Sequence, residues 1–203
     1  ATMPTSGMTQ LIAVVSGQLD VLRNLISMTA LPITMLSQIR TVLDGIQGDL
    51  VTLMTVPGQY ATALRSFTNL LGSADATTLP YTARPQVIAS VVAMAQLPVG
   101  QADAAAISPT LMAGIRAEAA LRSQLLLSSA AQLALADYRV AGDRDTALAN
   151  VVRAIDALLP AMPDTLFQAA LDMRATLIDA LLAQDLAPAQ VRDVVAPLPA
   201  TLL

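Results

Sequence analysis

The chain contains no cysteine, histidine or tryptophan, and its eleven basic residues are all arginine, so lysine is missing too. Glu118 is the only glutamate, beside fourteen aspartates. These absences exclude whole classes of chemistry. A serine or cysteine nucleophile needs a base beside it, and neither a Ser-His nor a Cys-His pair can be assembled. A Schiff base or a phosphate-gripping P-loop needs lysine, and zinc wants cysteine and histidine ligands. Magnesium or calcium requires several carboxylates converging on one point, whereas the aspartates here are widely spaced. Asp143 and Asp145, flanking Arg144, are the one close pair, and they read as capping residues on a turn. The sequence therefore predicts no catalytic residue, no metal ligand and no cofactor.

Aromatic residues make up 2% of the chain and charged residues 13%, about half the usual charged fraction of ~25%. The formal charge is −4, and most arginines have an aspartate nearby, as in Asp20 with Arg23 or Asp172 with Arg174. Duplex binding needs clustered cations that displace counterions from phosphates. Single-strand binding needs aromatic stacking platforms. Neither pattern is present, so direct nucleic-acid binding by this chain is not expected.

What the sequence does have is apolar surface: 55% of residues are hydrophobic and the mean hydropathy is +0.60. The longest uncharged run in the body of the chain lies between Arg84 and Asp103, but Pro85, Ser90, Gln96 and Pro98 break it. The mainly apolar remainder, Val87 to Leu97, is about half of the roughly 20 residues a bilayer span requires. No basic region precedes an apolar stretch at the N-terminus, the arrangement of a secretion signal. No membrane association is predicted, and the apolar surplus must be buried within the chain or against partners.

Helix-forming Ala, Leu, Gln, Arg and Met dominate, strand-like alternation is scarce, and Pro and Gly fall at intervals where helices end. The fold class is all-α. From about Thr9 to Ala30, Ile12, Val15, Leu19, Leu22 and Ile26 step alternately by three and four, a heptad seam. Pro32 interrupts, and the seam resumes at Leu36, Ile39, Leu43 and Ile46. Gly45 and Gly48 weaken this second helix or end it. Residues 1–72 thus form a heptad-patterned helical segment, whose third helix spans about Gln59 to Leu71. The seam is assigned to assembly, pairing either within the chain as a hairpin or between chains. If it joins chains, replacing Leu19 and Leu22 with Asp should dissolve the assembly and leave the rest folded.

Residues 73–84, rich in Thr, Ser, Ala and Pro, read as a linker, and 85–203 as a C-terminal bundle of three or four up-down helices. Its members are expected at Pro85 to Leu97, Pro109 to about Arg139, Arg144 to Leu159 and Thr165 to Gln184. A short helix near Pro188 to Val195 closes the chain. Ser108-Pro109 is a cap and first-turn pair, and Asp164 reads as a cap. The Pro109 helix is apolar around most of its circumference, which predicts a central position. Arg174 falls inside the apolar stripe of the last long helix. Either its stem lies along the stripe while the guanidinium reaches water or a neighbouring Asp, or it forms a buried register-fixing pair with Asp143 or Asp145.

Three segments carry a resemblance: Asp143-Arg144-Asp145-Thr146-Ala147-Leu148, Arg153-Ala154-Ile155-Asp156-Ala157-Leu158, and the run from Asp164-Thr165-Leu166-Phe167 to Met173-Arg174-Ala175. With the ending Pro197-Leu198-Pro199-Ala200-Thr201-Leu202, their order resembles the C-terminal region of phage DNA circularisation proteins, the Mu N protein family. The likeness covers roughly Ile107 to Leu203, and Pro57-Gly58-Gln59-Tyr60-Ala61 is loosely similar to a turn in that family's middle region. That resemblance implies a structural protein of a phage tail or baseplate, located in the virion after assembly in the bacterial cytoplasm. Its partners would be neighbouring tail or baseplate proteins and copies of itself. The family's N-terminal domain has no counterpart here, and its pattern continues past the position of Leu203, so a piece of a longer protein is expected. DNA would then be engaged only indirectly or through that missing domain, and no site residue is carried over. Two other readings stand beside this one. The first is noncovalent protection or circularisation of linear DNA ends; the second is another helical assembly protein, such as a tape-measure segment.

Overall fold

The heptad-spaced apolar residues of the N-terminal segment meet one another inside the chain. The computed structural model describes residues 6–56, 58–74, 79–98, 108–184 and 186. Among them are eight α-helices and no strand: α1 (Ser6–Ser27), α2 (Ile33–Gly48), α3 (Leu50–Thr55), α4 (Gln59–Gly72), α5 (Arg84–Ala95), α6 (Pro109–Ala134), α7 (Ala141–Leu158) and α8 (Asp164–Leu182). A 3-10 turn at Leu159–Ala161 joins the last two. The all-α class holds. The predicted closing helix near 188–195 and the Pro-Leu-Pro run lie outside the described residues.

Pro32 opens α2, and α1 and α2 form an antiparallel hairpin. Arg23 pairs with Asp44, Arg40 donates to Ser27, and Gln47 donates to Ser16 and Asp20. These cross-links descend one helix as they ascend the other. They leave Val15, Leu19, Leu22 and Ile26 facing Ile39, Leu43 and Ile46, all of them buried. Ile12 and Leu36 are half-buried and pack on the same core. The α2 seam ends at Gly48, and Gly58 then turns the chain into α4 with φ at 81°, a left-handed conformation that glycine adopts without strain.

α6 is central, packing against α1, α4, α5 and α7. Gly114 lets α1 come close, since a Cβ there would sit 3.2 Å from Leu11 Cδ2. α4 runs parallel to α6, with Tyr60 at Glu118 and Thr68 at Ser129. One continuous core therefore joins Val15 and Leu64 to Leu126, Val151 and Leu177. This corrects the predicted division at 73–84: an α6 that is apolar on most sides needs the N-terminal helices as much as the C-terminal ones to cover it, so among the described residues the two halves share one core. The side chain of Ser108 caps α6 as expected, accepting from the Leu111 amide at 3.1 Å.

α6 ends at Ala134, five residues short of the expected Arg139. Gln184, arriving from the end of α8, donates to the Ala136 carbonyl and accepts from the Tyr138 amide. This long-range side chain satisfies the backbone that a longer helix would have satisfied itself. Asp164 lies inside the first turn of α8 and makes no side-chain cap; its charge still suits the positive end of the helix.

Candidate functional site

Small residues on one face of α6 leave a cavity beside it. Ala119, Ala120 and Ser123 cannot fill the space between α6 and the α7–α8 connection, where Leu158, Ala161, Met162, Pro163 and Leu166 form the opposite wall. Leu97 and Pro98 close one end, and Arg116 and Gln124 stand at the edge. The volume is about 390 Å³, in the range of small-molecule and peptide-anchor pockets of ~300–1,000 Å³. A smaller hollow of about 80 Å³ shares Gln124, Met162 and Leu166 and extends along Leu127, Ser128, Ala169 and Met173. Together they make a groove along α6, because α8 packs on α7 through Leu177 and Leu181 and stands off from α6. The lining is mainly apolar, and Arg116 makes no ion pair among the described residues.

Behind this groove α6 carries a buried polar triad. Glu118 and Arg122, four residues apart, form an ion pair at 3.2 Å, and the Tyr60 hydroxyl donates to the same Glu118 oxygen at 2.9 Å. Arg122 is wholly buried, and its two terminal nitrogens have no hydrogen-bond partner among the described residues. Burial, then the Glu118 charge and hydrogen bond, push the Tyr60 hydroxyl far above its ordinary range, while Arg122 opposes them. The triad is buried and holds α4 to α6. Arg84 is buried as well, and its guanidinium donates to the carbonyls of Ala74, Leu79 and Leu133.

The assigned assembly residues Val15, Leu19, Leu22, Ile26, Ile39, Leu43 and Ile46 are placed in the interior, with Ile12 and Leu36 at its margin. They cannot present a seam to another chain without opening the α1–α2 hairpin. Arg174 pairs with Asp156 at 2.9 Å, not with Asp143 or Asp145. α7 and α8 run antiparallel, which sets Asp156 level with Arg174 and brings Arg144 to the Gln184 carbonyl at the far end. Asp145 pairs with its neighbour Arg144. Neither aspartate makes a side-chain cap.

Sequence reasoning missed the groove and the triad. The Glu118–Arg122 spacing on an otherwise apolar helix was the available signal for the triad, since two charges four residues apart share a helix face. For the groove, the signal was the run of Ala and Ser on α6, which has meaning only once the stand-off of α8 is known. Among the described residues no three His, Cys, Asp or Glu side chains converge on a metal position, and no helix is long and apolar enough to cross a membrane. No family model, curated protein or solved structure matches the chain.

Proposed function

We propose that the chain is a non-enzymatic helical assembly module that receives a partner in the α6–α8 groove, and that it serves in a phage tail or baseplate. The groove carries the reading. It is preformed and mainly apolar, with α6 as one wall and the α7–α8 connection as the other, the form in which an apolar anchor from a partner is held. The buried Glu118–Arg122–Tyr60 triad stiffens the α6 wall from behind. The tail or baseplate setting rests on the resemblance over roughly Ile107 to Leu203. The first partner is another copy of the chain, and neighbouring tail proteins are further ones. The DNA-handling alternative gains no support: Arg23, Arg122, Arg144 and Arg174 are engaged by carboxylates and Arg84 is buried.

Sedimentation equilibrium of the wild-type chain and of Ala120→Arg tests this. The wild type should gain mass with concentration, and Ala120→Arg, which places a long cation in the cavity, should remain at 21.1 kDa. Equal association by both would refute the groove as the docking surface.

A further inference from the structure

The α1–α2 corner is the apolar counterpart of the groove. Met28 is 72% exposed and Ile33 84%, the two highest values among the large hydrophobic side chains of the described residues. They stand at the turn that Pro32 imposes, in a stretch from Asn24 to Ile39 that holds no charge. Nothing in the hairpin requires them to be apolar. Leu31 and Met35 already seal the end of the core there. A surface knob of this kind is a candidate contact site.

Charge matches shape. The Arg40 guanidinium is held beside the corner by its hydrogen bond to Ser27 and has no carboxylate partner among the described residues. At the groove, Asp164 follows the wall residue Pro163 and likewise has no cation.

We infer that the occupant of the groove is the α1–α2 corner of a second copy, with Met28 and Ile33 entering the cavity and Arg40 meeting Asp164. This rests on the assembly reading above and makes it specific. Knob and hole lie on different elements of one chain, so the contact is head-to-tail, and each bound pair still offers one free knob and one free hole. Such an interface builds rings or filaments rather than closed dimers.

The test is complementation between two disabled chains. Met28→Asp with Ile33→Asp removes the knob at exposed positions, and Ala120→Arg blocks the hole; Ser123→Arg serves if Ala120→Arg loses helical content by circular dichroism. Each variant alone should sediment as a monomer at concentrations where the wild type associates. An equimolar mixture should stop at twice the 21.1 kDa of one chain, because only one intact knob and one intact hole remain. If the hole variant is monomeric while the knob variant still associates, the corner is not the occupant and the groove keeps its assembly role. If the wild type stays monomeric up to submillimolar concentration, both the inference and the self-assembly reading fall.

Discussion

Arg84 Nη1 donates to the carbonyl oxygen of Leu133 at 2.9 Å, tying the start of α5 to the last turn of α6. The same nitrogen reaches the Ala74 carbonyl just beyond α4, and Nη2 reaches Leu79. One buried cation therefore serves the negative ends of two helices that lack a basic residue in their own last turns. Its three acceptors would be stranded by an apolar replacement. Arg84→Met should cost about 3 kcal/mol or more in urea unfolding, at ~1–3 kcal/mol for each unsatisfied buried group. A loss below about 1 kcal/mol would show that water replaces the guanidinium.

The buried Glu118–Arg122 pair should behave asymmetrically. Glu118→Gln leaves a fully buried guanidinium without a counter-charge and should destabilise by about 3–5 kcal/mol. Combining Glu118→Leu with Arg122→Met removes both charges, along with the two nitrogens that have no partner. The double variant should recover part of that loss, with ~1–3 kcal/mol retained for the Tyr60 hydroxyl that loses its acceptor, read by thermal and urea melts. A double variant as unstable as Glu118→Gln would mean that the pair is a net source of stability.

Leu19 and Leu22 now carry a different prediction from the one their heptad spacing suggested. Both are fully buried on the core side of α1, so the Leu19→Asp, Leu22→Asp double variant should lose cooperative unfolding altogether, not merely dissociate. Leu19→Ala alone should cost about 2–5 kcal/mol. A folded, dissociated double variant would restore the seam as an interface between chains.

How far the sequence could be read follows from the same residues. Pro32, Gly48, Gly58 and Ser108 mark helix ends through local backbone chemistry, and the helices begin or stop near them. The 3-4 stepping of Val15, Leu19, Leu22 and Ile26 identifies a buried stripe but not its partner, because the pattern is identical whether the facing helix belongs to the same chain or another. Arg174 shows the same limit. Its place in an apolar stripe was legible, whereas its partner Asp156 depends on the antiparallel register of α7 and α8. The groove exists only because α8 leans on α7 and away from α6, a tertiary choice with no local signature.

Alkaline pH should destabilise the fold. Burial, reinforced by the Asp143 charge and opposed by Arg84, pushes the Tyr138 hydroxyl up to about 12, against an ordinary value of about 10. The folded state thus keeps a proton that the unfolded chain gives up. The stability this provides is complete below pH 10 and is lost as pH rises from about 10 through about 12. Burial of Tyr60 acts in the same direction. The Tyr138 hydroxyl has no hydrogen-bond partner among the described residues, so Tyr138→Phe should leave the melting temperature at pH 7 unchanged or higher and should flatten part of the alkaline decline. A lower melting temperature at pH 7 would contradict this.

The exposed Arg174–Asp156 pair should matter little. Both side chains are partly in water, 35% and 48% exposed, and such pairs contribute about 0–1 kcal/mol. Asp156→Asn should change stability by less than about 1 kcal/mol, with Asp143→Asn and Asp145→Asn smaller still as partners of Arg174. A larger loss for Asp145→Asn in a melt would revive the register-fixing reading.

Amide hydrogen exchange, followed as chain concentration is raised, tests the central claim most directly. If the α6–α8 groove receives a second copy, exchange should slow in 119–128 and 162–173 as concentration rises, and Ala120→Arg should abolish the effect. Exchange in those segments that is independent of concentration, while the wild type gains mass, would place the interface elsewhere and contradict the account.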